Sequence, residues 1–252
     1  MGDEKLYRTE AVVLSRINIG EADRILTVLT PTRGKLRLVA KGVRRTHSRL
    51  SGYVELFNQS NMLVASGRNL DIVTQSETVE VFAKLRANPI LEAYALYAAE
   101  LVDKLTEEGQ ENYPLYRLLV ECLKALNDGA DPNITLRGFE MHALGYSGYR
   151  PQLDKCVRCG NELKPTLNYF SPELGGVLCN SCGQIERRNH ELNVDTLKVM
   201  RYLQKNSFAS GPALRLQPET RRELELVLIN YIKYLLEREM KSVELIHAIN
   251  LS

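Results

Sequence analysis

The sequence predicts an α+β protein in which an N-terminal five-stranded barrel precedes a helical domain that carries a four-cysteine zinc-binding segment. Three observations predict this fold. Short segments of alternating polarity fill about the first eighty residues, and helical spacing of apolar residues begins near Asn88. Two Cys-x-x-Cys pairs then lie between predicted helices.

The N-terminal segment contains strand-like stretches separated by turn signals rich in glycine, proline and polar residues. The predicted strands are residues 7–14, 24–29, 35–41, 54–65 and 70–80. Five short strands in a segment of this length are typical of the OB-fold, a small barrel that often binds single-stranded nucleic acid. We therefore predict an OB-fold nucleic-acid-binding domain over residues 1–83.

The remaining chain follows a helical pattern. Asn88-Pro89 is typical of a helix N-cap followed by proline in the first turn, and the apolar spacing continues to Leu105. Further helices are predicted over residues 114–126, 132–145, 194–204 and 218–240. Residues 84–252 are therefore predicted to form a helical domain, with the zinc-binding segment at about 150–188 inserted between two of its helices.

Four of the five cysteines form two Cys-x-x-Cys pairs. Cys156 and Cys159 make the first pair and Cys179 and Cys182 the second, with nineteen residues between the pairs. Each pair can bring two thiolates onto one metal from a tight turn, and the glycine after each pair can take a positive φ that directs backbone N–H groups at the sulfurs. Four sulfurs leave no position for a reactive water, so we predict one structural Zn²⁺.

Disulfides and redox chemistry are the other open uses of these cysteines. Disulfides need an oxidising compartment, and the acidic start Met1-Gly2-Asp3-Glu4-Lys5, with no apolar run after it, argues against a secretory signal. Redox pairs usually lie in a thioredoxin-like βαβ unit, a pattern not found around either pair. The fifth cysteine, Cys122, lies in an apolar helical pattern and is predicted to be core.

Positive charge is concentrated in one part of the predicted barrel. The segment 24–54 contains no Asp or Glu, although the whole chain carries 31 acidic residues and a net charge of only +2. Its eight cations are Arg24, Arg33, Lys35, Arg37, Lys41, Arg44, Arg45 and Arg49. An ordinary solvated surface mixes charge signs, so this segment indicates contact with a polyanion, and we predict these eight residues as nucleic-acid-binding.

Alternation along the third strand places Lys35, Arg37 and Lys41 on one face and apolar residues on the other. Cations and hydroxyls of the following loop suit phosphate oxygens. Few aromatic residues accompany them, so we expect a salt-dependent interaction led by the DNA or RNA backbone. No apolar run approaches the roughly 18 residues that span a bilayer, and we predict a cytoplasmic, nucleoid-associated protein without membrane contact.

Several motifs resemble those of the bacterial recombination mediator family RecO, in the same order over nearly the whole chain. In the barrel they are Ala11-Val12-Val13-Leu14, Gly20-Glu21-Ala22-Asp23-Arg24-Ile25-Leu26, Leu29-Thr30-Pro31, Gly34-Lys35 and Ala40-Lys41-Gly42. Further along they are Leu144-Gly145-Tyr146, Gly148-Tyr149-Arg150-Pro151, Cys156-x-x-Cys159-Gly160 and Tyr169-Phe170-Ser171. The likeness is strongest in the barrel and around the cysteines.

The resemblance implies a non-enzymatic role in homologous recombination and DNA repair. It implies binding of single- and double-stranded DNA, annealing of complementary strands, association with RecR, and help for RecA in replacing single-strand-binding protein. The cations of the barrel become the leading DNA surface and the four cysteines become the zinc ligands. The family also binds the C-terminal tail of single-strand-binding protein on its helical domain, where Lys104, Arg117, Lys124 and Arg137 are candidates for the tail carboxylate.

Two other classes of function remain to be weighed. A zinc deaminase needs a His-x-Glu pair beside its Cys-x-x-Cys, and none of the four histidines supplies one. A Walker A loop is also missing from the sequence, so we predict no enzyme activity. An RNA-binding or transcriptional OB-fold and zinc-ribbon module is the alternative, and it would prefer RNA or a defined sequence.

Overall fold

The computed structural model describes residues 5–250, apart from the side chains of residues 212, 213, 247, 249 and 250. Residues 1–4 lie outside this description, and the prediction about a secretory signal depends partly on them. The chain divides into two compact units, Met1–Asn127 with Glu244–Ser252, and Asp128–Val243. These units group the first helices with the barrel, so a boundary at residues 83 and 84 stays a prediction.

The N-terminal barrel is confirmed. Its strands are β1 Leu6–Ile19, β2 Asp23–Thr30, β3 Gly34–Ala40, β4 Gln59–Ala65 and β5 Asp71–Glu80. They close in the order β1-β2-β3-β5-β4, and β3 and β5 are the one parallel pair within this barrel. This topology is that of the OB-fold.

The strand ends differ from the predicted ones in two places. A bulge between Val13 and Ser15 lets β1 bend and continue to Ile19, so it pairs with β2 from Asp23 to Leu29. β4 begins at Gln59, because Phe57 adopts a left-handed backbone conformation with φ 66° that turns the chain just before the strand. Residues 41–58 therefore form a long loop between β3 and β4.

The barrel core is built by alternation along each strand. Inward positions such as Val13, Leu26, Leu38 and Met62 are buried, while Arg37 in β3 is exposed. Leu50 and Leu56 from the loop between β3 and β4 pack against the same core. Burial of this apolar interior is what holds the five strands in one register.

Three helices follow the barrel in the first unit. They are α1 Ala83–Ala87, α2 Pro89–Leu105 and α3 Tyr113–Asn127. The predicted N-cap is present, since the Asn88 side chain accepts hydrogen bonds from the backbone N–H groups of Ile90 and Leu91. Cys122 is fully buried in α3, as its apolar surroundings predicted.

Replacing Asn88 with alanine is expected to destabilise the protein by about 1 kcal/mol, because two N–H groups of the first turn of α2 lose their acceptor. Urea denaturation followed by circular dichroism measures the change. Asn88→Asp keeps a carboxyl oxygen at the same place and should retain most of the stability. Equal losses in both variants would contradict a capping role.

The second unit contains helices and a small sheet. Its helices are α4 Pro132–Tyr146, α5 Asn180–Gly183, α6 Val194–Lys205 and α7 Pro218–Leu236, and the last helix of the chain is α8 Lys241–Asn250. A 3₁₀ helix spans Phe208–Ala213. The strands β6 Asn168–Ser171, β7 Gly176–Leu178 and β8 His190–Leu192 form a sheet in the order β7-β6-β8. Sequence periodicity had not predicted this sheet, because three or four residues are too few to establish alternation.

The helix that was expected to reach residue 240 ends earlier. Glu237 adopts a left-handed conformation with φ 54° and caps α7 after Leu236, and α8 starts at Lys241. The apolar spacing continues across this break, which is why the pattern predicted one helix. Within residues 5–250, none of the helices combines the length and the apolar character needed to cross a bilayer.

Candidate metal centre and nucleic-acid interface

The four cysteines of the two pairs lie together in the second unit. Their Sγ atoms are all within 4.8 Å of one another, and the Sγ atoms of Cys159 and Cys179 are 3.9 Å apart. In a tetrahedral site with zinc–sulfur bonds of about 2.3 Å, neighbouring sulfurs are about 3.8 Å apart. The cluster therefore has the size and the donor set that a four-coordinate metal ion requires.

Each pair is positioned by a different local structure. The first pair lies in a hairpin in which Cys156 N–H donates to Asn161 O at 2.8 Å and Gly160 N–H donates to Cys156 O at 2.9 Å. Val157 N–H donates to Val177 O of β7, which ties this hairpin to the strand that leads into the second pair. Cys179 follows β7 directly and precedes the short helix α5, which contains Cys182.

The two glycines after the pairs serve different purposes. Gly160 has the expected positive φ of 75°. The same expectation for Gly183 is wrong, because this residue has a helical conformation at the end of α5. A Cβ atom at Gly183 would lie 2.0 Å from a ring carbon of Tyr169, so glycine is needed here for close packing of α5 on β6.

The surroundings of the sulfurs shift two thiol pKa values in opposite directions. Burial acts to raise the pKa of Cys156, but backbone N–H groups of Cys159, Cys179 and Arg158 donate toward its sulfur and lower the pKa to about 6. Burial, with hydrogen bonds among the sulfurs and the charge of Cys156, raises the pKa of Cys182 to about 12. A cation that binds all four sulfurs displaces the remaining protons, so its affinity rises with pH.

Seven of the eight predicted DNA-binding cations fall into two groups in the barrel unit, and Arg33 has an environment of its own. Three of them are held by acidic residues that lie outside the acid-free segment. Arg24 contacts Glu55 at 3.0 Å, and Lys35 Nζ donates to the backbone oxygen of Asp103 at 2.6 Å and to its carboxylate at 3.1 Å. The Lys35 side chain is only 12% exposed, so its charge is largely compensated by Asp103 within the protein.

The third member of this group is Arg37, whose Nε lies 3.9 Å from a carboxylate oxygen of Glu108. Glu108 belongs to the segment between α2 and α3, residues 106–112, which we call the acidic loop. This loop follows the edge of β3, where Gly109 N–H donates to Lys35 O at 2.9 Å. The acidic loop thus covers the first half of the strand face that the sequence predicted to bind nucleic acid.

The second group of cations is exposed on residues 41–49, which we call the basic loop. Its exposed cations are Lys41, Arg44, Arg45 and Arg49. Backbone hydrogen bonds from Arg44 N–H to Ala22 O and from Gly42 N–H to the Asp23 carboxylate fix the loop against the turn between β1 and β2. Four guanidinium or ammonium groups on an anchored loop are well suited to contact phosphates.

Arg33 has a distinct environment on the turn between β2 and β3. Its guanidinium lies 4.1 Å from the centre of the Tyr7 ring, and Tyr7 donates a hydrogen bond to Asp71 at 2.8 Å. Burial and the neighbouring Asp71 raise the Tyr7 pKa, so its hydroxyl stays protonated. Tyr7 therefore serves the barrel structure and is not an exposed stacking surface.

Arg137, one candidate for the tail carboxylate of single-strand-binding protein, is buried in the second unit. It pairs with the buried Glu140 one helical turn away at 3.1 Å, and its guanidinium also approaches the backbone oxygen of Glu225. A charge that is buried and paired in this way is inaccessible to a peptide. Arg117 and Lys124 on α3 are exposed and stay candidates.

The chain combines a closed OB-fold barrel that carries an exposed basic loop with a helical region that holds a four-sulfur cluster. Its class is therefore that of an OB-fold protein with a candidate structural metal site. Comparison with known families identifies the particular one. The family profile described as Recombination protein O N terminal matches residues 3–82, and Recombination protein O C terminal matches residues 87–244. The chain belongs to the RecO family.

Curated relatives agree with this assignment over nearly their full length. The chain is 44% identical over 240 residues to the DNA repair protein RecO of Roseiflexus sp. (strain RS-1). The aligned region covers 95% of this chain and 84% of the relative. It is 39% identical over 241 residues to the protein of the same name from Dehalococcoides mccartyi (strain CBDB1), with 94% and 93% covered. Identity to the corresponding protein of Pelotomaculum thermopropionicum is 38% over 238 residues.

Proposed function

We propose that this protein is a non-enzymatic DNA-binding recombination mediator that acts at the nucleoid. Membership of the RecO family supports a role in DNA repair and recombination. The observation that carries the proposal is that both family profiles match in order, over residues 3–82 and 87–244. The proposed activities are binding of single- and double-stranded DNA and annealing of complementary strands.

The basic loop is the proposed leading DNA surface. Within residues 5–250 its four exposed cations form no salt bridge of the kind that holds Arg24, Lys35 and Arg37, so they can contact phosphates. Arg33 is exposed on the turn at the other end of β3, and Arg37 is exposed on β3 although it is paired with Glu108. Two complementary strands repel through their phosphates, and a cationic surface that holds both lowers this repulsion while leaving the bases free to pair.

We propose that the four cysteines bind one structural Zn²⁺. Cys156, Cys159, Cys179 and Cys182 would supply a complete four-sulfur shell, which leaves no position for a metal-bound nucleophile. The ion would join the hairpin of the first pair to the end of β7 and to α5. Its contribution is then to the folding of the second unit.

The proposed partners follow from the family assignment. They are RecR, the C-terminal tail of single-strand-binding protein, and, as a functional link, RecA, which the mediator would help onto DNA coated by single-strand-binding protein. The exposed cations Arg117 and Lys124 of α3 support a carboxylate contact only through their charge and exposure.

Strand pairing tests the proposal directly. Two complementary, fluorescently labelled DNA strands should pair several times faster with stoichiometric protein than without it, and the acceleration should fade as salt rises because phosphate contacts are screened. Complementary RNA strands provide the matched comparison. Absence of acceleration with folded protein, or a clear preference for RNA, would favour the RNA-binding alternative.

A further inference from the structure

The acidic loop, residues 106–112, places negative charge at the start of β3. It contains no Lys or Arg, and its exposed carboxylates belong to Glu107, Glu108 and Glu111. Asp103, in the last turn of α2 just before the loop, adds the carboxylate that holds Lys35. The two ends of β3 therefore differ in charge, with the acidic loop at its start and the basic loop after its end.

The acidic loop is fixed to β3 through its backbone. Gly109 N–H donates to Lys35 O at 2.9 Å, and Glu108 forms an isolated parallel bridge with Lys35. Packing is close at the neighbouring position, where a Cβ atom on Gly34 would lie 2.1 Å from the backbone oxygen of Gln110. These backbone contacts do not depend on the charge of the side chains. The fold therefore holds the carboxylates beside the strand.

Glu108 contacts the more exposed of the two cations of β3. The Arg37 side chain is 45% exposed, and its Nε lies 3.9 Å from a carboxylate oxygen of Glu108, whose side chain is 60% exposed. An ion pair that is open to solvent in this way contributes little to stability. The carboxylate nevertheless lies where a phosphate oxygen would contact the guanidinium, and its charge repels the phosphate.

β3 connects this contact with the basic loop. A strand rises about 3.3 Å per residue, so Arg37 is about 13 Å along the strand from Lys41, the first residue of the basic loop. One strand of DNA carries several phosphates over such a length. A DNA backbone that followed β3 away from the basic loop would therefore meet Arg37 next and then the acidic loop.

We infer that the acidic loop is an internal competitor of the DNA backbone. Glu108 occupies the guanidinium of Arg37, and Glu107 and Glu111 repel phosphates from the start of β3. The loop thereby confines DNA to the basic-loop end of the strand. Affinity differences between closely related variants lie mostly in the dissociation rate, so the loop also keeps the release of DNA fast. The inference rests on the proposed function and adds an autoinhibitory contact to it.

The test removes negative charge from the acidic loop while keeping the size of the side chains. Glu107→Gln combined with Glu108→Gln should raise the affinity for oligo(dT) at least about fivefold at about 0.1 M salt, because one phosphate contact is gained. The negative slope of log affinity against log salt should become steeper by about 0.7. Fluorescence anisotropy measures both, and dissociation into excess unlabelled oligo(dT) should slow by a factor similar to the gain in affinity.

Glu77→Gln combined with Glu80→Gln is the matched control. These exposed residues lie on the part of β5 that pairs with β4, and the substitutions cause the same change in net charge. The control should change the affinity less than about twofold at the same salt, where the Debye length is about 10 Å. An equal rise in both variants would overturn the inference, because the change in net charge alone would then explain it.

A double-mutant cycle tests whether the effect passes through Arg37. Arg37→Ala should lower the affinity for oligo(dT) more in the Glu108→Gln background than in the wild-type background, because only there is the guanidinium open to a phosphate. Thermal midpoints of the glutamine variants should match that of the wild-type protein, since an exposed pair adds little stability. Equal losses of affinity in the two backgrounds would overturn the blocking of Arg37 by Glu108.

The outcomes distinguish this inference from the proposed function. If the wild-type protein binds oligo(dT) and neutralising the acidic loop leaves the affinity unchanged or lowers it, the internal competitor is overturned and DNA binding remains. If neither the wild-type protein nor the variant with the neutralised loop binds oligo(dT), the proposed function is overturned together with the inference.

Discussion

Replacing Cys182 with serine is expected to destabilise the second unit by more than about 4 kcal/mol, the range in which loss of a structural metal is found. The physical reason is that the proposed ion joins the hairpin at Cys156 and Cys159 to the start of α5, and apparent zinc-binding energies of about 10–16 kcal/mol are folding energy in small four-ligand sites. Calorimetry of the purified protein, with metal content measured on the same sample, checks the effect.

Ser181→Ala is the matched control for this experiment. Ser181 is exposed and lies between the two cysteines of the second pair, but it supplies no sulfur. The control should keep one zinc per chain and an unchanged midpoint, and a chelator should lower the midpoint of the wild-type protein but not that of Cys182→Ser. A wild-type protein that is metal-free yet equally stable would contradict the structural-zinc proposal.

Reversing two charges on the basic loop is expected to have the largest effect on DNA binding. Arg44 and Arg45 are exposed and adjacent, so the double change to glutamate removes two phosphate contacts and adds repulsion. Affinity for single-stranded DNA should fall by at least about tenfold at low salt. The negative slope of log affinity against log salt should become shallower by about 1.5. Fluorescence anisotropy over a salt series measures both.

The double change of Arg187 and Arg188 to glutamate is the matched control. These residues are exposed near the cysteine cluster in the second unit and undergo the same change of charge. An unchanged affinity and salt slope in this control would restrict the DNA surface to the barrel. Loss of affinity in the control, with none in the basic-loop variant, would contradict the proposed surface.

Lys35 provides a second comparison, because its charge is already used by Asp103. We therefore expect Lys35→Ala to change the slope of log affinity against log salt less than Arg45→Ala does. The two residues are both in the acid-free segment, and only their three-dimensional surroundings separate them. An equal change in slope would indicate that DNA displaces the Lys35–Asp103 pair.

Much of the architecture could be predicted because its signals are local. Alternation of polarity located the strands to within a few residues, and Asn88-Pro89 located the start of α2. The spacing of the four cysteines predicted that they would meet, and their sulfurs do lie together. Short strands such as β8, with three residues, carry too little periodicity to be recognised, and the break at Glu237 is hidden by apolar spacing that continues beyond it.

The sequence by itself determined the barrel, the helices, the cysteine cluster and the family, because each depends on residues that are close in the chain or on the spacing within a motif. Only the tertiary structure decided which cations remain available. Asp103 is 68 residues from Lys35 in the chain, and Glu108 meets Arg37 because the acidic loop follows the edge of β3. Charge pairing depends on the distance between two groups in space and not on their separation along the chain. A segment that is free of acids in sequence can therefore still be neutralised in the fold.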